Sequence, residues 1–455
     1  MKTDVVILAA GQGSRMKSAL PKVMHGLAGK PMLQHVVDSA QRLAPEALHV
    51  VIGHEGEQVE QAMSGQALSF VWQREQLGTG HAVAQAMPNI GQDSVVLVLY
   101  GDVPLTRPET LEQLIRIAAH GDLGLLTVTL EDPTGYGRII RNAVGDVVAI
   151  VEHKDATEQE KLVREVNTGI LALPSSALHE WLPKLSADNA QGEYYLTDVI
   201  AMAAEEGMRV RAIQPEAEQE VQGVNNRQQL AQLERWYQRQ LAEALMADGV
   251  TLADPARIDI RGNLKTGQDV LIDINTIFEG EVVLGEGVEV GANCIIRNAR
   301  IGAGTRIEAN SMIDGAVVAE HAQVGPFARL RPGTELAAGS KVGNFVETKK
   351  ARIGAGSKVN HLTYIGDAEI GVDVNVGAGT ITCNYDGVNK SLTRIGDGAF
   401  IGSNSSLVAP VEIGAGATVG AGSTVTKAVS DNQLAVARGK QINLDNWARP
   451  QKKGS

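Results

Sequence analysis

Short unbroken apolar runs punctuate the first half of the chain: Val5-Val6-Ile7-Leu8-Ala9-Ala10, His49-Val50-Val51-Ile52, residues 95–99 and residues 125–128. Runs of this length fit strands buried on both faces. Between them, 32–43 and 110–119 carry apolar residues at helical spacing. Strands alternating with helices predict a largely parallel sheet covered on both sides, a doubly wound, Rossmann-like α/β domain over residues 1–226.

The pattern then changes twice. Residues 227–249 place Leu230, Leu233, Tyr237, Leu241 and Leu245 among Gln, Arg and Glu, with no Gly or Pro before Gly249. This predicts one long linker helix that holds the flanking domains apart. From 250 to 437 the apolar residues recur every six positions: Phe278, Leu284, Val290, Ile296; then Val318, Val324, Leu330, Leu336, Val342; then Ile395, Ile401, Leu407, Ile413, Val419, Val425. Gly often follows at once, as in Leu284-Gly285 and Val419-Gly420. Six is too long for a strand and matches no helix; it is the period of a parallel β-helix with the apolar residue pointing inward. The period breaks between Val376 and Ile395, around Asn384-Tyr385-Asp386-Gly387, which predicts an external loop on a binding face. A tail follows over 438–455, and the sequence does not say whether its closing Gly454-Ser455 is native.

Composition narrows the function. The chain has 455 residues, more than one core supports. Its 50 glycines and 4% aromatics suit a fold of tight repeated turns. A net charge of −12 argues against nucleic acid or an anionic membrane as partner. The two cysteines, Cys294 and Cys383, share no metal-binding spacing and fit a reducing compartment. No apolar stretch approaches a membrane span or a signal segment, so a cytoplasmic location is expected.

The first strand runs into Leu8-Ala9-Ala10-Gly11-Gln12-Gly13-Ser14-Arg15-Met16, with Pro21-Lys22 beyond. At the carboxyl end of a parallel strand, Gly11 and Gly13 would let backbone N–H groups approach a phosphate, and Arg15 and Lys22 would add positive charge. Neither a Walker A nor a dinucleotide fingerprint is present. Gly-Gln-Gly alone reads equally well as an ordinary turn. The whole string resembles the signature of sugar-1-phosphate nucleotidyltransferases. That resemblance implies a uracil-recognising segment at Gln73, Gly78 and Thr79. It implies a strand end at Tyr100-Gly101-Asp102 with Asp102 as a metal ligand, and a sugar pocket at Gly137, Glu152 and Asn167. It also implies a second metal ligand at Asn225, which alone reads as a helix N-cap.

In the C-terminal half, Arg329 to Arg331 and Glu347 to Lys350 put basic groups on neighbouring coils. At roughly eighteen residues per coil, stacking would bring Glu347 beside His361, where a carboxylate would orient a neutral base. His361 alone reads as a surface or core-edge histidine. Together, Asn344 to Lys350, His361 to Asp367 and Gly377 to Gly387 closely resemble the bacterial bifunctional N-acetylglucosamine-1-phosphate uridyltransferase/glucosamine-1-phosphate acetyltransferase family, over essentially the whole chain.

This resemblance implies a left-handed β-helix and His361 as general base for acetyl transfer. Arg331 and Lys349 would bind the sugar phosphate, and Tyr364, Asn375 and Lys390 the sugar. Ser403 would stabilise the oxyanion. Ala378, Asn384, Tyr385, Ser403, Ala421 and Arg438 would contact acetyl-CoA. In the N-terminal domain UTP would be the co-substrate and Mg²⁺, or Mn²⁺, the metal, with Arg15 and Lys22 offsetting phosphate charge. A homotrimer is expected. Two alternatives stay open at this point: a monofunctional nucleotidyltransferase with a structural β-helix, and a non-catalytic binding protein on the same scaffold.

Overall fold

The strand Lys2–Leu8 is an interior strand of a nine-stranded sheet in a computed structural model that describes residues 2–452. It pairs in parallel with Ala47–Ile52 on one side and Ser94–Tyr100 on the other. Val5, Val6, Ile7, Val50, Val51 and residues 95–98 are fully buried, as unbroken apolar runs require when helices cover both faces. From one edge the sheet runs Val210–Ile213, Leu123–Thr129, Glu165–Pro174, Ser94–Tyr100, Lys2–Leu8, Ala47–Ile52, Ser69–Trp72.

The sheet is mixed rather than largely parallel around Glu165–Pro174, which is antiparallel to both neighbours. Residues 130–164 hold the hairpin Arg138–Arg141/Val147–Val151 where a crossover helix would be needed, so the chain returns antiparallel. A bulge between Asn167 and Leu171 re-aims that strand next to Tyr100.

The six-residue period becomes three stacked ladders of inward residues. One runs Phe278, Ile296, Ile313, Leu330, Thr348, Ile365. A second runs Leu284, Ile301, Val318, Leu336, Ile353, Ile370, Ile395, Ile413. A third runs Ile272, Val290, Ile307, Val324, Val342, Val359, Val376, Ile401, Val419, Ala435. Every pairing along these three ladders is parallel, so this is a parallel β-helix with one continuous core. Each fully buried aliphatic side chain stabilises the stack by roughly 1.5–3 kcal/mol. Thr348 is the polar rung, bonded at 3.0 Å to the Thr334 hydroxyl. The coil from Ile370 to Ile395 is lengthened by the predicted excursion, closed by an antiparallel bridge between Tyr385 and Lys390.

The predicted helix runs Arg227–Ala247. Asn226 caps it, accepting the Gln229 N–H at 2.9 Å. The chain divides into two compact units between Tyr237 and Gln238, inside this helix. Leu233 packs with Leu27, Met32, Leu105 and Val224 in the first unit, whereas Ala242 and Leu245 join the β-helix core. The Gln238 carboxamide both donates to Ile260 O and accepts from Ile260 N, at 2.8 Å each, and so satisfies the backbone of the first coil. Among the described residues no helix is long and apolar enough to cross a membrane. Gly454 and Ser455 lie outside the described residues.

Candidate active sites

In the first unit, a cavity of about 280 Å³ opens at the carboxyl ends of the parallel strands. Leu8, Ala9, Ala10, Gly11, Lys22, Gln73, Gly78, Thr79, Tyr100 and Asp102 line it, joined by Gln76 and Glu193, which sequence reasoning did not single out. Gly101 closes the strand end through its N–H to Leu8 O at 2.9 Å. Two glycines are required by close approach. A Cβ on Gly13 would sit 2.6 Å from Lys22 Cβ, and one on Gly78 would sit 2.6 Å from Tyr194 O, with φ of +60° and +111° respectively. Gln73 is buried and donates to Gly78 O at 3.1 Å, and Thr79 accepts the Leu196 N–H at 3.1 Å.

Four groups from distant segments converge beside the cavity. The Lys22 ammonium is ion-paired with Asp102 and lies 3.4 Å from Asn225 Oδ1, which also accepts from Arg15 at 2.8 Å. Asn226 supplies the helix cap, which leaves the Asn225 side chain to face Arg15 and Lys22. Asp102 and Asn225 therefore offer two oxygens to one cationic group. One carboxylate and one carboxamide fit a small hard divalent ion that keeps most of its shell for water and phosphate. Among the described residues no group of three or more His, Cys, Asp or Glu could hold a metal.

The expected sugar pocket adjoins this site. Gly137 allows the Glu152 carboxylate to come within 3.2 Å of where a Cβ would stand. Asn167 N donates to Gly137 O at 2.9 Å, and Asn167 Oδ1 accepts from Gly169 N at 2.9 Å. Burial pushes the Glu152 carboxyl up, opposed by a 3.2 Å hydrogen bond from Thr197. Burial likewise pushes the Tyr100 phenol up, reinforced by Glu152 and Asp102.

In the β-helix, Glu347 does not orient His361. The coils here repeat every seventeen residues, and the register pairs Glu347 with Tyr364 and Asn344 with His361. Asn344 Oδ1 accepts from His361 Nδ1 at 2.7 Å. An amide oxygen there holds the proton on Nδ1 and leaves the Nε2 lone pair free. The Glu347 carboxylate is committed to Arg331 at 2.7 Å, with Arg329 at 3.9 Å. Counting seventeen residues back from His361 would have found Asn344 in the sequence.

Around that corner, basic groups crowd together. The Lys349 ammonium is pushed below the usual lysine range, first by Lys390 beside it and then by Arg331. Cations held this close favour a dianionic group between them. Tyr364 and Asn384 approach each other over Gly366, and Asn384 donates to Asp367 at 2.5 Å. Asn375 lies on the opposite flank, in register with Lys358 and Phe400. His361 O accepts from Gly379 N, Ala378 O from Asn404 N, and Ser403 O from Gly422 N, at 3.2, 2.7 and 2.8 Å. His361, Ala378, Ser403 and Ala421 thus follow one corner from coil to coil, and Arg438 closes it on Ala421 O at 2.8 Å.

Comparison with known proteins places both halves. Residues 5–193 match the MobA-like NTP transferase domain, and residues 392–427 match the bacterial transferase hexapeptide (six repeats). The chain is 62% identical over 448 residues to the bifunctional protein GlmU of Marinobacter nauticus, covering 98% of this chain and 99% of that one. It is 61% identical over 450 residues to the bifunctional protein GlmU of Cellvibrio japonicus, and 59% over 452 residues to that of Pseudomonas entomophila, each with 99% of both chains covered.

The chain belongs to the bifunctional GlmU family. Because the GlmU match runs from end to end, both units and both candidate sites lie within the shared length.

Proposed function

We propose that this chain acetylates glucosamine-1-phosphate with acetyl-CoA in its β-helix and transfers UMP from UTP to N-acetylglucosamine-1-phosphate in its first unit. The products are UDP-N-acetylglucosamine and pyrophosphate. The observation that carries this reading is the presence of two chemically distinct sites, one in each unit of a GlmU-family chain: a tautomer-fixed His361 beside a cationic cluster, and the Lys22, Asp102, Asn225, Arg15 convergence.

In acetyl transfer, His361 Nε2 removes a proton from the sugar ammonium or from the amine as it attacks. The nitrogen bonds to the thioester carbonyl carbon, the C–S bond breaks, and CoA leaves as the thiolate, which takes a proton. Arg331 and Lys349 hold the phosphate, with Lys390, Tyr364 and Asn375 on the sugar. Ser403 is the hydroxyl on the same corner as His361, two coils beyond it, and donates to the oxyanion. Ala378, Asn384, Tyr385, Ala421 and Arg438 line the path of the acyl donor along the corner.

In uridyl transfer, a phosphate oxygen of the sugar attacks the α-phosphorus of UTP and pyrophosphate leaves. No protein nucleophile takes part. Arg15 and Lys22 bind and orient phosphate oxygens, Gln73, Gly78 and Thr79 hold the base, and Gly137, Glu152 and Asn167 hold the sugar. Asp102 and Asn225 would hold Mg²⁺, which supplies charge neutralisation on the phosphates. The enzyme acts as a cytoplasmic homotrimer. Support for association comes from Phe327, Phe345 and Leu362, which stand 49%, 55% and 64% exposed on successive coils with φ near +50°. Bulky residues are strained in that conformation, and the Phe327 and Phe345 rings stack at 5.2 Å.

The test is thiol release from acetyl-CoA with glucosamine-1-phosphate and no UTP. The reading expects CoA and N-acetylglucosamine-1-phosphate together. No thiol, with UTP still consumed alongside added N-acetylglucosamine-1-phosphate, would reduce the β-helix to a scaffold.

A further inference from the structure

Glu220 is a carboxylate with no solvent exposure, in the short 3₁₀ helix Glu218–Val221. Its Oε2 accepts from the Thr110 hydroxyl at 3.0 Å, and its Oε1 lies 3.6 Å from Arg107 Nε. Its backbone oxygen accepts from the Thr106 hydroxyl at 3.1 Å. Arg107 also pairs with Glu216. All these partners lie on residues 106–110, which continue directly from the Asp102 turn and lead into the helix Pro108–Ala119. Five residues after Glu220 comes Asn225. At that end the same two segments meet again, where Val224 N donates to Asp102 O at 2.9 Å. The segments carrying the two metal-facing oxygens are therefore fastened at both ends. Val221 and Val103, buried between the fastenings, belong to one core.

Burying a carboxylate costs several kcal/mol unless other groups compensate it. An apolar side chain would plug the same space without that cost. What the carboxylate adds is direction: the Thr110 hydroxyl and the Arg107 guanidinium on one segment define where the other must lie. We propose that Glu220, with Thr110 and Arg107, is a positioning clasp that sets the spacing of Asp102 and Asn225 and thereby the affinity for the divalent ion. This rests on the reading of Asp102 and Asn225 as the metal pair. Groups that orient metal ligands typically change affinity by 10–100-fold when removed.

The test uses the full-length chain, Mn²⁺ alone or with UTP, and the electron paramagnetic resonance signal of free Mn²⁺. E220Q and T110V are compared with wild type and with D102N. The clasp predicts about tenfold weaker Mn²⁺ binding in both clasp variants. It also predicts a matching rise in the Mg²⁺ concentration that half-saturates uridyl transfer, kcat at saturating Mg²⁺ within about twofold, and acetyl transfer unchanged. T110V removes only a hydroxyl, so it decides the matter if E220Q does not fold. Unaltered Mn²⁺ affinity in T110V, with D102N abolishing binding, would overturn the clasp and leave the metal pair standing. Unaltered binding in D102N would overturn the metal pair itself, and the clasp with it.

Discussion

Replacing Asn344 with Ala removes the acceptor that His361 Nδ1 meets at 2.7 Å. The imidazole keeps its place on the coil but loses what fixes its tautomer and its rotation about the last bond. A side-chain hydrogen bond to a ring that becomes charged as it takes the proton is worth about 1.5–3 kcal/mol net. Taking about 2 kcal/mol as the loss in the transition state, kcat for acetyl transfer falls about 30-fold. The KM for glucosamine-1-phosphate stays close to wild type, because Arg331 and Lys349 are untouched. Uridyl transfer is unchanged. Thiol release under saturating substrates measures this directly. Asn344→Asp is the companion variant: a carboxylate at that distance keeps an acceptor for Nδ1 and stabilises the imidazolium formed in the transition state, so it should retain much more kcat than the alanine variant. E347Q provides the contrast, since it frees Arg331 and Arg329. It should alter KM for the sugar phosphate more than kcat. Full kcat in N344A, with a large kcat loss in E347Q, would refute the reasoning and return the orienting role to the carboxylate.

Other outcomes follow from the same geometry. Lys349→Met should raise the KM for glucosamine-1-phosphate about tenfold, since one charge-assisted phosphate contact is lost, with kcat little altered; an unchanged KM would remove Lys349 from the site. Gly78→Ala places a Cβ 2.6 Å from Tyr194 O at φ +111° and should cost uridyl transfer at least about tenfold in kcat/KM while acetyl transfer continues; equal loss of both activities would indicate misfolding instead. His25, His35 and His49 are held below the ordinary value of 6.5, chiefly by burial. Their native forms resist protonation, so the first unit's stability is full above pH 6.5 and falls as the unfolded chain takes up protons below it. Thermal unfolding that stayed flat from pH 7.5 to 5 would contradict this. Phe345→Asp and Leu362→Asp should each shift sedimentation toward single chains; an unchanged species would place the subunit contact elsewhere.

The β-helix was legible because one inward residue per hexad has no alternative reading: a helix or an ordinary strand cannot repeat that period in run after run between Phe278 and Val425. The glycine-rich string and Asp102 both follow the ends of parallel strands, but Gly-Gln-Gly alone reads as an ordinary turn, and the role of Asp102 came from the resemblance. What escaped depended on register or on long-range pairing. Glu347 was set beside His361 although only fourteen residues separate them, whereas the local repeat is seventeen and Arg331 holds that carboxylate. Asn225 and Asn226 are neighbours with different duties, and only the Gln229 N–H tells which one caps the helix. The helix Arg227–Ala247 packs its two halves into different cores, so the two compact units divide at Gln238 rather than at the helix ends. The antiparallel strand Glu165–Pro174 was hidden because a buried strand reads the same in either direction.

The claim that one chain carries two independent active sites is tested most directly by two single variants, H361A and D102N. Each is assayed for thiol release from acetyl-CoA with glucosamine-1-phosphate, and for pyrophosphate release from UTP with N-acetylglucosamine-1-phosphate. The account predicts that H361A loses only the first activity and D102N only the second. It also predicts that mixing the two restores UDP-N-acetylglucosamine from glucosamine-1-phosphate. Thiol release surviving in H361A, or both activities vanishing together in either variant, would contradict it.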